Sequence, residues 1–358
     1  MPVTAPPEYT FYDDPLRFYN AMLNDILGAR KYVYLETYRF NNDSIGIKFR
    51  DLLTRKCRQG VDVKILMDSW GTSLPSVFFA ETVKCGGEVR YFKKIKFFWD
   101  FFTKNHRRNH RKMLIIDDRI SYIGSANLTE YSLNWRESML KVTSDLAIPL
   151  KKIFLQDFRQ YNRYVFEKIS DIRRITHGKM QIIRDVPSMT RQRIRKKYLE
   201  IFRTATNEIV IETPYFLPGF IIRKTLMDAC KRGVTVKVLI PMNSDVALID
   251  ILRNRYLGIL SRGGVDIYYY LPHNLHAKLI LVDDEAFAIG STNFDYRSFR
   301  YQHEIALVGQ DESVISQIRA HVDDTLKYCE KFDFDKWVKR PGIQKFFERL
   351  LLPFRHLL

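Results

Sequence analysis

The sequence has few cysteines and no long hydrophobic run. Its four cysteines are spread over 358 residues without a Cys-x-x-Cys pair, which excludes a disulfide framework and disfavours a zinc ribbon or a redox pair. We interpret them as free thiols in a reducing compartment. No segment approaches the ~18 apolar residues that a membrane-spanning helix requires, and the polar, proline-containing N-terminus lacks the apolar region of a secretory signal. These absences favour a cytoplasmic protein that is soluble or peripheral to a membrane.

Acidic residues are in the minority. The chain has 41 Asp and Glu against 58 Lys and Arg, a net charge of +17. Such a balance favours a polyanionic partner, either nucleic acid or anionic lipid. Residues 151–200 hold 14 Lys and Arg against five Asp and Glu, about half of the excess charge. Hydrophobic residues make up 46%, so a packed core is expected, and the length suggests two domains.

Four blocks of sequence occur twice in the same order. The pairs are VYLETYRF at 33–40 and IVIETPYF at 209–216, CRQGVDVKIL at 57–66 and CKRGVTVKVL at 230–239, GGEVRYF at 86–92 and GGVDIYY at 263–269, and HRKMLIIDDRISYIGSAN at 110–127 and HAKLILVDDEAFAIGSTN at 276–293. Four matches in register are not coincidental. The chain is therefore two copies of one unit.

Each copy alternates strand and helix patterns. In the first copy a buried strand at Val33–Thr37 precedes an amphipathic helix near Gly46–Arg58, which Gly60 ends. Further strands are predicted at Val61–Met67 and Val89–Phe92, which implies a largely parallel sheet covered by helices. Two later apolar runs flank an Asp-Asp-Arg turn and indicate antiparallel strands. Each half is thus predicted to be an α/β unit with a mixed sheet.

A His-x-Lys pair opens the last repeated block in each copy. Alternate residues of a strand share a face, so His110 and Lys112 point the same way, as do His276 and Lys278. If the halves pack about a pseudo-twofold axis, two imidazoles and two ammonium groups meet in one cleft. This set suits phosphodiester chemistry, with one imidazole as nucleophile and the other as proton donor. The lysines and nearby amides would hold the phosphate oxygens.

The duplicated His-x-Lys-x4-Asp with Gly-Ser-x-Asn resembles the HKD signature of the phospholipase D superfamily. Within it, the chain is similar to bacterial cardiolipin synthases lacking transmembrane helices, through TPYFLP at 213–218, GSTNFDYRSFRYQHE at 290–304 and the C-terminal tail. The resemblance implies two tandem phospholipase D-like domains, each with a mixed sheet sandwiched by helices, sharing one active site. The predicted divisions are a domain at 1–150, a basic linker or helical region at 151–190, a domain at 191–330 and an amphipathic tail at 331–358.

The resemblance also implies residue roles. His110 is expected to form a covalent phosphohistidine and His276 to act as general acid and then base. The candidate catalytic residues are His110, Lys112, Glu137, His276, Lys278 and Glu304, the two glutamates orienting the imidazoles. The candidate phosphate-binding residues are Ser125, Asn127, Ser291 and Asn293. Asp117 and Asp283 are read as structural. No cofactor or metal is expected. The first motif lacks the Asp-x-Arg-Ser that follows the second, so the halves are not equivalent.

Two segments are candidate membrane contacts. The first half carries eleven extra residues before its motif, where lysines flank aromatic residues, and the tail is basic and amphipathic. Either could instead pack on the body of the protein. The candidates are Phe97, Phe98, Trp99, Phe101, Phe102, Trp337, Phe346 and Phe347. Because basic residues are interleaved with aromatic residues in these segments, the expected partner is a membrane surface rich in phosphatidylglycerol, and nucleic acid is disfavoured. No obligate protein partner is expected.

Three activities remain open. The leading hypothesis is a peripheral enzyme of the inner membrane face that transfers a phosphatidyl group between phosphatidylglycerol molecules, giving cardiolipin and glycerol. A phospholipase D hydrolase that releases phosphatidic acid would use the same residues. A nuclease or other phosphodiesterase is disfavoured by the aromatic insertion and the tail.

Overall fold

The computed structural model describes residues 6–92, 107–161 and 175–356, which form strands β1–β17 and helices α1–α11. The strands are β1 (Glu8–Tyr12), β2 (Tyr32–Thr37), β3 (Asp62–Asp68), β4 (Glu88–Phe92), β5 (Arg108–Asn109), β6 (Met113–Ile116), β7 (Ile120–Gly124), β8 (Met139–Thr143), β9 (Ile175–His177), β10 (Met180–Asp185), β11 (Glu208–Glu212), β12 (Thr235–Pro241), β13 (Asp266–Tyr270), β14 (Leu279–Val282), β15 (Ala286–Gly290), β16 (Gln302–Gly309) and β17 (Cys329–Lys331). The helices are α1 (Pro15–Gly28), α2 (Ser44–Arg58), α3 (Ala80–Lys84), α4 (Ala147–Gln160), α5 (Arg193–Thr204), α6 (Phe220–Lys231), α7 (Ala247–Arg262), α8 (Tyr296–Arg300), α9 (Glu312–Leu326), α10 (Phe334–Val338) and α11 (Gly342–Leu351).

The two sheets repeat one strand order. The first runs β1-β8-β7-β6-β2-β3-β4, with β2, β3 and β4 parallel and the other neighbours antiparallel. The second contains the matching run β10-β16-β15-β14-β11-β12-β13, extended by β9 and β17 at its ends. Strand β5, although it precedes β6 in the chain, pairs with β16 of the second sheet. The duplication read from the sequence is therefore a duplication of topology.

Local sequence explains the element ends. The Asp43 carboxylate accepts the N–H groups of Ile45 and Gly46 and so begins α2. Gly60 follows α2 with a φ of +84°, and Gly233 follows α6 with a φ of +92°. Both lie in the left-handed region that glycine adopts without a steric penalty, so each helix ends there.

Helices cover both sheets, and a shared core joins them. Helices α1 and α2 pack on the outer side of the first sheet, and α5 and α6 on that of the second. A central cluster combines Ile115 of β6 and Phe154 of α4 with Leu281 of β14 and Ile318 of α9. Burying apolar side chains from both halves makes the sheets one body. The predicted class, an α/β fold of two tandem mixed sheets between helices, is confirmed.

The basic region differs from its prediction as a linker or helix. Within 151–190, the described residues comprise the end of α4 and strands β9 and β10. Strand β10 pairs antiparallel with β16 over six residues and buries Ile182 and Ile183. The burial of these apolar residues in the second sheet favours a strand here, although the surrounding sequence is highly charged.

The tail folds back on the second half. Helix α11 packs on α7, and Pro353 lies in the 3₁₀ turn Leu352–His356 that follows it. Within the described ranges, the structure contains no helix with the length and apolar character needed to cross a bilayer.

Candidate active site

Backbone contacts hold each motif histidine against the opposite half of the chain. His110 follows β5, and its N–H donates to the carbonyl of His303 on β16 at 3.0 Å. In the same way, the N–H of His276 donates to the carbonyl of Arg136 at 2.7 Å. Both accepting residues directly precede a glutamate. The short crossing contacts therefore bring each histidine beside the acidic residue of the other half.

Two buried glutamates orient the imidazoles across the interface. The Nδ1 of His110 lies 3.0 Å from Oε1 of Glu304, and the Nδ1 of His276 lies 2.8 Å from Oε1 of Glu137. Each carboxylate thus serves the histidine of the opposite half. Burial raises the pKa of Glu304 to about 8. With Nδ1 engaged, Nε2 of His110 is the ring nitrogen left to meet a ligand, whereas Nε2 of His276 also contacts Nζ of Lys278.

The motif serines support these glutamates. The hydroxyl of Ser125 donates to Glu137, and that of Ser291 donates to Glu304. Each hydroxyl also accepts a backbone N–H, and both side chains are fully buried. These contacts indicate that Ser125 and Ser291 position the glutamates, and their binding of phosphate stays a prediction. In each Gly-Ser-x-Asn motif, the serine side chain thus points towards the glutamate of its own half and donates a hydrogen bond to it.

The two motif lysines lie beside the histidines. Lys112 donates through Nζ to the carbonyl of His110 at 2.6 Å. Lys278 donates to the carbonyl of His276 at 2.9 Å, and its Nζ is 3.0 Å from Nε2 of that ring. Burial, with the charge of Lys278, lowers the pKa of Lys112 well below its ordinary value, and burial lowers the pKa of Lys278 to about 8.

The imidazoles have unequal electrostatic surroundings. Burial, then the charges of Lys112 and Lys278, lowers the pKa of His110 well below its ordinary value. Burial also lowers the pKa of His276, but the negative charge of Glu137 opposes that change. Both rings are thus neutral in the empty site, and His276 is the one better able to gain a proton.

A cavity of about 170 Å³ opens over this group, lined by His110, His276, Asn127 and Asn293. Sequence reasoning missed its other polar and aromatic walls, which are Tyr38, Arg39, Tyr131, Trp135, Tyr215, Asp245, Asp295, Arg297 and Gln302. The sequence signal for three of these residues was their position at the carboxyl ends of parallel strands. Tyr38 and Arg39 directly follow β2, and Tyr215 lies three residues after the end of β11. Among the described residues, no cluster of His, Cys, Asp or Glu could hold a metal ion.

The motif aspartates lie at tight turns. Asp117 accepts the N–H groups of Arg30, Lys31 and Tyr32, with a φ of +54°. Asp283 makes the matching contacts to residues 206–208, with a φ of +55°. Asp117 thereby fixes the start of β2 and Asp283 the start of β11, because each carboxylate satisfies N–H groups there.

The membrane candidates fall into three groups. Phe97, Phe98, Trp99, Phe101 and Phe102 lie outside the described residues. Trp337 donates through Nε1 to the carbonyl of Asn254 at 2.7 Å, and the Arg340 guanidinium lies 3.9 Å from its ring. Trp337 therefore attaches α10 to α7, and its contact with a membrane stays a prediction. Phe346 and Phe347 lie on α11 with 57% and 44% of their surface exposed.

Comparison with known proteins gives consistent matches. The family model described as "Cardiolipin synthase, PLD-like domain" matches residues 22–162 and 198–326. The major cardiolipin synthase of Bacillus subtilis is 30% identical over 351 residues, which is 94% of this chain and 73% of that protein. A cardiolipin synthase of Clostridium perfringens is 30% identical over 362 residues, covering 95% of this chain and 75% of that protein.

A solved structure has the same fold. The crystal structure of phosphatidylserine synthase from Haemophilus influenzae superposes with a TM-score of 0.75, covering 98% of this chain and 95% of that chain. The sequence identity is 13%, so this likeness concerns the fold alone.

Proposed function

The chain belongs to the cardiolipin synthase family of phospholipase D-like enzymes, and we propose that it transfers a phosphatidyl group from one phosphatidylglycerol to the hydroxyl group of another. The products are cardiolipin and glycerol. The observation that carries this proposal is the pair of motif histidines in one cavity, each bonded to a carboxylate of the opposite half. Two imidazoles facing one phosphodiester supply a nucleophile and a proton donor.

In the first step, Nε2 of His110 attacks phosphorus, and the bond from phosphorus to the glycerol oxygen breaks as His276 protonates that oxygen. The surroundings of the rings support these roles. Burial, then the charges of Lys112 and Lys278, lowers the pKa of His110 and so favours its neutral, nucleophilic form, whereas Glu137 favours a proton on His276. The negative charge of a bound phosphodiester further raises the affinity of His276 for a proton.

In the second step, His276 takes a proton from the hydroxyl group of the acceptor lipid. The oxygen attacks phosphorus, the bond to His110 breaks, and the enzyme returns to its starting state. Lys112, Lys278, Asn127 and Asn293 stabilise the charge on the non-bridging phosphate oxygens in both steps. Water as acceptor would give phosphatidic acid, so transfer depends on the acceptor lipid occupying the site.

Product analysis tests this function. Purified protein is incubated with phosphatidylglycerol vesicles, and the lipids are resolved by mass spectrometry. We expect cardiolipin and glycerol. His110→Ala and His276→Ala should each lower the rate by about 10²- to 10⁴-fold or more, while His177→Ala, which removes an imidazole paired with Asp145 away from the cavity, should not. Phosphatidic acid alone indicates a hydrolase, and DNA cleavage without lipid products contradicts a lipid enzyme.

The tail supports a peripheral position on the cytoplasmic face of the membrane. Leu351 and Leu352 pack against α7, whereas Ile343, Phe346 and Phe347 are exposed on the same tail. The helix therefore both docks and presents apolar surface, the arrangement of an interfacial helix. Ending the chain after Lys336 would expose α7 as well, so point substitutions give the cleaner test.

Phe346→Ser combined with Phe347→Ser should weaken sedimentation with phosphatidylglycerol vesicles while the melting temperature stays unchanged. Leu16→Ser combined with Val77→Ser removes two exposed apolar side chains from the first half and serves as the control. Equal vesicle binding by the two double variants would contradict the membrane role of the tail.

A further inference from the structure

A second cavity lies beside the catalytic one. Its volume is about 370 Å³, and Asp295 lines both cavities. Three arginines line its wall, one each from α5, α8 and the turn after α11: Arg195, Arg300 and Arg355. Elements far apart in the sequence thus bring three positive charges to one open cavity, which the catalytic mechanism does not use.

The guanidinium groups converge on one ring. Arg300 lies 5.1 Å and Arg355 6.0 Å from the centre of the Tyr296 ring. Burial and the charge of Arg300 lower the pKa of Arg195, so like charges are close together. Among the described residues, neither Arg195 nor Arg355 forms an ion pair, and Nε of Arg355 is buried without a hydrogen-bond partner. Arg195 and Arg355 are partly buried, and an anion bound beside them would offset the repulsion between these like charges.

The internal duplication provides a comparison for this cavity. In the first half, Asp43 begins α2 and its carboxylate also accepts the N–H of Glu130. The repeat register places Gly219 and Tyr296 at the matching positions of the second half. Gly219 begins α6 without any side-chain cap, and both residues line the arginine cavity. A carboxylate fills this place in one half, whereas an open space lined by arginine occupies it in the other.

The cavity contains little competing negative charge. Of the described residues that line it, Asp295 is the only carboxylate. It is buried and accepts the N–H of Ser298 at the start of α8. The rim is apolar, with Phe220 67% exposed and Ile221 45% exposed. Phe354, next to Arg355, is also exposed.

We propose that this arginine cavity binds the phosphate group of an anionic phospholipid, as a second lipid site beside the catalytic cavity. Guanidinium groups bind phosphate oxygens in forked pairs, and the uncapped N-terminus of α6 adds N–H donors. The apolar rim meets the glycerol and acyl region of the same lipid. The choice of a lipid over free phosphate rests on the proposed function.

Gly219→Asp is the sharpest test, because it places the carboxylate of the first half into the second. Gly219 has an extended backbone, and the nearest atom to an added Cβ is 3.8 Å away, so the substitution fits. Gly219→Asn has the same size and caps the helix without charge. Both variants should keep or raise the melting temperature.

Binding is measured by sedimentation with phosphatidylcholine vesicles that contain phosphatidylglycerol, in a His110→Ala background that prevents turnover. We expect Gly219→Asp to weaken binding by about tenfold and Gly219→Asn to leave it nearly unchanged. Vesicles of phosphatidylcholine alone report the apolar contribution, which should be equal in both variants. Equal binding of the two variants to phosphatidylglycerol vesicles would overturn the proposal.

An arginine pair gives a second, independent test. Arg195→Gln combined with Arg355→Gln should weaken phosphatidylglycerol binding more than Lys84→Gln combined with Lys231→Gln, which removes the same charge from exposed positions. Titration with inorganic phosphate separates the two possible ligands. If Gly219→Asp abolishes phosphate binding but leaves vesicle binding unchanged, the site serves free phosphate, and the lipid assignment is wrong.

The two proposals can fail separately. Absence of cardiolipin from the wild-type reaction, with the expected loss of vesicle binding in Gly219→Asp, would contradict the proposed function and leave the lipid site standing. Normal cardiolipin synthesis, with Gly219→Asp and Gly219→Asn alike in vesicle binding, would contradict the lipid site alone.

Discussion

Lys112, Lys278, His110 and His276 are buried around one cavity, and burial opposes a charge on each of them. Water would solvate a charge on either lysine better than the protein does, so a charged lysine in the empty site lowers folding stability. In the proposed complex, a bound phosphodiester would offset this cost, because its negative charge would lie beside the two lysines. The groups that weaken the free protein would then be the ones that bind the substrate, a common trade between stability and activity.

Replacing Lys278 with methionine should separate the effect of this lysine on folding stability from its effect on activity. The pKa of Lys278 is about 8 in the folded protein and ordinarily 10.5, so the unfolded chain binds this proton more tightly. At about 1.4 kcal/mol per pKa unit, the charged lysine costs roughly 3 kcal/mol below pH 8. The unfolding free energy therefore rises as pH rises from 8 towards 10.5.

At pH 7 we expect Lys278→Met to raise the unfolding free energy by about 1 to 3 kcal/mol, measured with urea, and to abolish transfer. The part of the pH dependence between 8 and 10.5 should disappear with it. Lys84→Met, at an exposed position, should change neither property. A less stable Lys278→Met protein would show that the lysine is net stabilising.

Ser125→Ala and Ser291→Ala distinguish positioning from phosphate binding. Each hydroxyl donates to a glutamate that orients an imidazole, and leaving a buried hydrogen-bonding group without its partner costs about 1 to 3 kcal/mol. Each variant should lower kcat by about ten- to a hundredfold with little change in KM. The conservative Ser→Thr variants should recover part of that loss. A higher KM with unchanged kcat would instead indicate direct contact with phosphate.

At the scale of elements, long segments were predictable and short ones were not. Strand β2 begins one residue before its predicted start at Val33, and α2 begins two residues before its predicted start at Gly46. The two-residue strand β5 gave no signal, since its partner β16 lies almost 200 residues later in the chain. Local periodicity carries no information about such a partner. These short crossing contacts nevertheless place His110 and His276.

The tail depends on a close contact between two elements. Gly258 lies in α7, where a Cβ would come within 2.2 Å of the Trp337 ring. Gly→Ala in a helix ordinarily stabilises by about 1 kcal/mol, but here we expect Gly258→Ala to displace Trp337 and loosen α10 and α11. Hydrogen exchange across 334–356 should accelerate. Gly28→Ala, with open space around it, is the control. Unchanged exchange with a higher melting temperature would contradict this packing.

At the scale of the whole molecule, the duplicated sequence predicted two tandem units and one shared site. It did not predict which residues of one half contact the histidine of the other. The sequence places Glu137 and Glu304 after their own motifs, and only the packing of the halves assigns each to the opposite histidine. The roles of the histidines likewise could not follow from two nearly symmetric motifs. The roles depend on the surroundings of the two rings, which differ between the halves. Asp43 and Gly219 are another pair of matching positions at which the halves differ.

A covalent intermediate on His110, in a site that both halves build, is the central claim. Phosphatidyl-p-nitrophenol needs no proton donor to lose its leaving group, so His276→Ala should release p-nitrophenolate once and retain the phosphatidyl group. Peptide mapping by mass spectrometry should place that group on His110, and His110→Ala should form no adduct. An adduct on His276, or no adduct in either variant, would contradict the claim.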